Sequence, residues 1–205
     1  MFTRLLPLFV LALGLIQGGH DKTKEKAKEP AAKPSPDADL VALAKDLDAG
    51  GKDKVADIVH SFAMKHAAKD KAVTMTSADK KVHVVLGAPG NDKSPNAADG
   101  EFKAEGSQYN IAVGGKGGDA KADNGGNGAS IKLNGKAAGK TYLFAGDGGS
   151  GAKKGGKGGS VWTGKDWAAG DNVATAGKGG SPGGEMGEVG AEPKAEPPKN
   201  EPPKK

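Results

Sequence analysis

Apolar positions along this chain follow three different rhythms. Between Ser35 and Ala68 the rhythm is helical. Leu40, Leu43, Ala44 and Leu47 fall on one stripe, and Val55, Ile58, Val59, Phe62 and His66 on another. Ser35 reads as an N-cap, with Pro36 at the first helical position and Asp37 in the first turn. Gly50-Gly51 divides the two helices. The pair is too small to be stable alone and is expected to dock on something. Val73–Thr76 and Val82–Leu86 then alternate as strands, joined by Ser77-Ala78-Asp79-Lys80. Residues 87–100 (GAPGNDKSPNAADG) are turn-rich and separate this module from the glycine-rich remainder.

From Phe102 onward short β-like runs alternate with glycine. The runs lie at 109–113, 130–133, 141–145, 160–163 and 172–176. Gly115-Lys116-Gly117-Gly118, Gly146-Asp147-Gly148-Gly149 and Gly177-Lys178-Gly179-Gly180 recur 31 residues apart. A second cluster follows in each interval, at 125–130 (GGNGAS) and 155–160 (GGKGGS). A fixed period of this length marks a repeat architecture. Within the glycine stretches small residues recur every third position, as in Gly114, Gly117, Ala120, Asp123, Gly126, Ala129 and in Gly146, Gly149, Ala152, Gly155, Gly158. Three residues per turn is the period of an extended polyproline-II-like helix. The expectation is a stack of extended glycine legs and short strands, turning at Asn134-Gly135 and Gly164. Backbones approach closely along the small-residue edges, and Tyr142, Phe144 and Trp162 plug the ends.

Composition agrees with close backbone packing. Glycine supplies 35 of 205 residues, about 17%, against about 7% in ordinary proteins. Aromatics make up only 4%, so a thick side-chain core is not expected. There is no cysteine, which excludes a disulfide scaffold, a thiolate metal site and a lipidated cysteine. The formal charge is +5, and residues 101–180 hold 11 Lys against 7 acids. Such a balance fits a solvated surface or weak attraction to an anionic polymer. No basic run with interleaved aromatics matches a nucleic-acid motif.

The chain opens with Arg4 ahead of an almost wholly apolar stretch at 5–16, followed by small residues at Gly14, Gly18 and Gly19. This reads as a secretory signal peptide, cleaved between Gly14 and His20. The stretch is too short for a helix to span a bilayer of about 30 Å. No later segment is long and apolar enough to cross a membrane. Residues 20–36 and the C-terminal AEPKAEPPKNEPPKK are charged and Pro-rich, and read as extended spacers.

The GGKGG, GGNGAS and GGKGGS runs resemble those of secreted glycine-rich repeat proteins of the GGxGG type, over residues 109–184 only. The resemblance implies a polyglycine-II bundle or a glycine-rich solenoid, in a surface, adhesive or ice-binding structure.

Motifs that could carry chemistry are weak. Residues 146–151 match G-x-G-x-x-G, but the following AKKGGKGG is poor helix material. Residues 134–141 (NGKAAGKT) approach a phosphate loop but lead into a strand-like run, where a helix is needed. Residues 114–122 resemble the calcium nonapeptide, with Asp119 at its carboxylate position. Ser130, Ser150, Ser160 and Ser181 stand there in the sister cassettes. The bland alternative is that Asp119 and those serines hydrogen-bond the backbone. His20, His60, His66 and His83 show no metal-ligand spacing. Trp162 and Trp167, with Tyr142, could stack on sugar rings or pack structurally.

The expected fold class is mixed. A small α-hairpin and β-hairpin module precedes a glycine-rich slab, β-solenoid-like or polyglycine-II-like, with disordered tails. The divisions are a signal peptide at 1–19, a linker at 20–36, the module at 37–100, the repeat domain at 101–184 and a tail at 185–205. The expected function is that of a secreted, periplasmic or cell-surface structural protein, not an enzyme. It has no catalytic, cofactor or metal residues, and it meets anionic or neutral cell-envelope polysaccharide. A glycan-binding module and a weak calcium-binding repeat are the alternatives.

Overall fold

A computed structural model describes residues 35–190, apart from 92, 93, 165, 166 and 169. The signal peptide, most of the linker and the last 15 residues fall outside the described residues.

The first helix, α1 (Pro36–Gly50), begins as its capping sequence requires. Ser35 Oγ accepts from Ala38 N at 3.3 Å, and Asp37 and Asp39 sit in the first turn. It ends where Gly51 takes φ +67°, a conformation costly for residues with a Cβ. A 3₁₀ turn (Lys52–Lys54) leads into α2 (Val55–His66). The buried stripes are Leu40, Leu43 and Leu47 on α1, and Val55, Val59, Phe62 and Ala63 on α2.

The strands are β1 (Val73–Thr76), β2 (Val82–Leu86), β3 (Gly100–Phe102), β4 (Tyr109–Val113), β5 (Ile131–Leu133), β6 (Lys140–Phe144), β7 (Val161–Trp162), β8 (Val173–Thr175) and β9 (Val189–Gly190). They form two sheets, ordered β1-β2-β4-β6-β8 and β3-β5-β7-β9. Only β1 runs antiparallel to its neighbour. The chain visits the sheets alternately and winds a β-solenoid. The sequence period is the pairing register, with Tyr109 opposite Lys140 and Tyr142 opposite Val173. The solenoid starts at β2, within the segment assigned to the small module, and continues to Gly190, past residue 184.

Alternation along the strands sends side chains to two separate cores. Val82, Val84, Leu86, Tyr109, Ile111 and Tyr142 face outward and are covered by the helical stripes. Ala112 and Leu143 face inward and meet Phe102, Ile131, Leu133 and Val161 of the second sheet. The layers are therefore helix, sheet, sheet, and the helical pair docks on the solenoid wall. The aromatics do not plug the ends. Tyr142 is 3% exposed beneath the helices, where Phe144 also packs. Trp162 follows the inward Val161 and so lies on the outer face of its sheet.

Beyond the strands each coil continues as two glycine-rich legs joined to one another by main-chain hydrogen bonds. Here the three-residue period becomes visible. Every third N–H donates to the following coil: Gly114 to Phe144 O, Gly117 to Asp147 O and Ala120 to Ser150 O, at 2.7–2.8 Å. A second set crosses to the opposite leg in a zigzag: Gly118 to Pro95, Gly126 to Gly118, Gly149 to Gly126, Gly156 to Gly149 and Gly180 to Gly156, all at 2.7–2.8 Å. The third set faces solvent, as at Lys116, Asp119, Asn127, Asp147 and Lys157. The legs are polyglycine-II in spacing and the whole is a β-solenoid, so both expected forms occur together. The three-residue rows read from sequence do not run on through the leg tips. Gly114, Gly117 and Ala120 bond forward, whereas Gly126 and Ala129 bond across.

A Cβ on Gly146 would fall on the Gly115 carbonyl oxygen, one on Gly149 on that of Gly118, and one on Gly177 on that of Gly146. Replacing Gly146 or Gly149 with Ala is therefore expected to cost about 1–3 kcal/mol of stability, the usual cost of overpacking. Lys178→Ala, at an exposed site, should stay within about 0.5 kcal/mol. Urea unfolding of the three variants checks the contrast.

Candidate functional site

The outward third of each leg carries a repeating row of polar side chains. Its N–H groups point neither to the next coil nor across the leg pair, so another acceptor must serve them. At seven of these positions a side chain one coil earlier does so. Asn127 N donates to Asn96 Oδ1 at 2.8 Å, and Lys157 N to Asn127 Oδ1 at 2.9 Å. Ser130 N donates to Asp99 Oδ1 at 2.6 Å, Ser160 N to Ser130 Oγ at 3.2 Å and Glu188 N to Ser160 Oγ at 3.0 Å. On the other leg Ser150 N donates to Asp119 Oδ1 and Lys178 N to Asp147 Oδ1, both at 2.7 Å. Short acceptor side chains recur at these columns because longer ones would overreach the coil spacing of about 4.8 Å. Along each leg the columns stand about 9.3 Å apart, three residues of extended chain.

These ladders settle where Asp119 belongs. One carboxylate oxygen takes the Ser150 N–H, and Lys116 Nζ lies 3.1 Å from both oxygens. The backbone bond first, then the lysine, holds its carboxyl below the ordinary carboxylate range. The backbone reading of Asp119, Ser130 and Ser160 thus describes their geometry. Among the described residues no group of three or more acidic or histidine side chains converges as metal ligands. Other lysines are likewise paired, Lys153 with Asp123 at 2.8 Å and Lys154 with Glu185 at 3.6 Å.

The remaining candidates are scattered. Residues 146–151 form a glycine leg, and no helix follows them. Residues 134–141 turn through Gly135 (φ +89°) and Gly139 (φ +57°) and enter β6, with no helix terminus to hold a phosphate. Tyr142, Trp162 and Trp167 do not share a surface. The first lies under the helices, the second faces out from the other sheet, and Trp167 packs against the inner core. His83 is buried at the first coil, with Nδ1 2.9 Å from Thr76 Oγ1 and its ring stacked on Phe102 at 5.9 Å. His66 Nε2 lies 3.2 Å from Asp39 Oδ2, off the direction of a hydrogen bond, with its ring 4.4 Å from Phe62. His66 and Asp39 belong to a cleft of about 400 Å³ between the helices, floored by Leu43, Ile58 and Phe62 and rimmed by Asp39, Asp46 and Asp57. Tyr109 Oη donates to Asp48 and ties α1 to the sheet. Burial, then that bond, raises the phenol well above its ordinary range.

Asn96, Asp99, Asn127 and Asp147 do not stand out as a set in the sequence. Their signal is the recurrence of Asn, Asp or Ser at the one non-glycine place in each three-residue frame.

The fold defines the class, a two-sheet β-solenoid with glycine legs and a helical flank. Compared with known proteins, the chain matches no family model, no curated protein and no solved structure. No helix among the described residues is long and apolar enough to cross a membrane.

The ladders lead to two expected outcomes. Asn127→Ala should cost about 1 kcal/mol by stranding the Lys157 N–H, measured by thermal melting. For Asp119 the folded carboxyl is the stronger acid. Its contribution is therefore present above the ordinary carboxylate range and is lost as pH falls below about 4. Asp119→Asn should flatten that acid limb in a stability–pH profile, whereas added calcium should leave the melting temperature of the parent chain unchanged.

Proposed function

We propose that this is an exported, non-enzymatic structural protein whose solenoid presents its polar ladders to cell-envelope polysaccharide. The observation that carries this reading is the construction of the legs. Their interior is nearly all main chain, and their exterior is a repeating row of Asn, Asp, Ser and Lys side chains. Such a body offers a stiff, repetitive face and little room for a pocket. The apolar segment at 5–16 supports export.

Charge pairing bears on the partner. Lys116, Lys153 and Lys154 each meet an acid, and one column alternates Lys116, Asp147 and Lys178. Beside these pairs the local field is small, which favours a neutral polymer over an anionic one along those columns. A dedicated glycan-stacking module draws less support, since Trp162 stands without Tyr142 or Trp167 beside it.

Two measurements test the proposal. Residues 1–20 fused to a reporter should direct it out of the cytoplasm. The chain from residue 20 onward should be retained on insoluble neutral envelope polysaccharide with little loss at high salt. A cytoplasmic reporter, or complete flow-through at low salt, would contradict it.

A further inference from the structure

Asparagine followed by glycine is prone to modify itself, because glycine has no Cβ to hinder its amide nitrogen. That nitrogen attacks the asparagine Cγ. The N–Cγ bond forms, the Cγ–Nδ2 bond breaks, and ammonia leaves with the amide proton. Water then opens the cyclic imide at one of its two carbonyls. One opening gives Asp, and the other gives an isoaspartate whose main chain runs through Cγ. The two residues and water supply every atom.

The chain holds three such pairs, Asn124-Gly125, Asn127-Gly128 and Asn134-Gly135. The first two lie in the glycine legs, where the attacking nitrogen is already engaged. Gly125 N donates to Lys154 O at 2.8 Å, and Gly128 N to Lys157 O at 2.9 Å. Packing holds the same backbones in place. A Cβ on Gly125 would fall on the Gly149 carbonyl oxygen, and one on Gly128 on that of Gly146, so neither has room to swing toward Cγ. Asn127 Oδ1 is held as well, by Lys157 N at 2.9 Å. The third pair lies just past the end of β5, where Gly135 is exposed at φ +89°. Asn134 Nδ2 donates to Glu101 Oε2 at 2.8 Å, an exposed side-chain bond that opens more readily than the leg backbone.

We propose that Asn134-Gly135 is a site of spontaneous deamidation, selected from the three Asn-Gly pairs by the packing of the glycine legs, and that its conversion loosens the first coil. The consequence falls on β3. This strand is three residues long and lies at the edge of its sheet, beside β5. Asn134 N also donates to Phe102 O of β3 at 2.7 Å. Deamidation turns the Asn134 donor into a carboxylate facing the Glu101 carboxylate, so a hydrogen bond becomes a like-charge contact. The isoaspartate form also lengthens the main chain by a methylene at the residue that bonds to Phe102. The strand β3 is therefore the first to come away as the protein ages.

Peptide mapping by mass spectrometry, after incubation of the full chain at neutral pH, tests the selection. In the folded protein Asn134 should convert at least about tenfold faster than Asn124 and Asn127, the scale set by the hydrogen bonds on Gly125 and Gly128. In urea the three rates should converge. Equal rates in the folded chain, or faster conversion at Asn124 or Asn127, overturns the proposal. So does a gap that persists in urea, the mark of local sequence and not of packing. Amide hydrogen exchange tests the consequence at Gly100, whose N–H donates to Ser130 O of the next coil. Asn134→Asp should speed that exchange on the order of fivefold, the scale of one net hydrogen bond, and adding Glu101→Gln should restore it. Exchange at Gly100 that ignores Asn134→Asp overturns the loosening.

Discussion

Main chain packed directly on main chain is the constraint on which the rest of this protein depends. In an ordinary domain side chains separate the backbones and supply the core. In the legs the spacer is absent, and each peptide group must find its partner among neighbouring peptide groups. Three residues per turn divides those groups into three directions: the next coil, the opposite leg and solvent. The first two are served by other backbone. Where Asn, Asp or Ser stands one coil earlier, its side chain serves the third. The polar ladders are thus a consequence of glycine packing, and a binding role would be added to a structural one.

A body of this kind gains little from the hydrophobic effect in its legs, and it draws that contribution from its wide end. There the strands diverge enough to hold Leu143, Ile131 and Val161 between the sheets, and the helical pair covers Val84, Ile111 and Tyr142 on the outside. The helices answer their own problem at the same time. Two short amphipathic helices bury too little alone, and the solenoid wall provides the missing surface. The Tyr109–Asp48 bond and the apolar stripes fix the pair across the outer face of the first sheet, and antiparallel β1 closes the end of that sheet.

Elements with strong local signals are legible in the sequence. The Ser35 cap, the Leu40–Leu43–Leu47 stripe and the β1–β2 hairpin follow from capping, helical spacing and alternation, none of which needs tertiary context. The 31-residue interval discloses the coil because each coil repeats the same contacts. Less is legible where the signal depends on the neighbouring coil. β3 and β9 are three and two residues long and are strands only because a partner lies alongside. The three-residue frame slips at the leg tips, so rows drawn straight through them join residues with different duties. Trp162 reads as an end plug from sequence because its side is undefined until the phase of β7 is set by Val161.

The central claim concerns hydrogen bonds between named peptide groups, and scalar couplings across hydrogen bonds report these directly. In uniformly labelled protein the account predicts couplings from Gly117 N to the Asp147 carbonyl carbon, and from Gly126 N to that of Gly118. Glycine amides that show no such couplings and exchange at the rate of an unstructured peptide would contradict it.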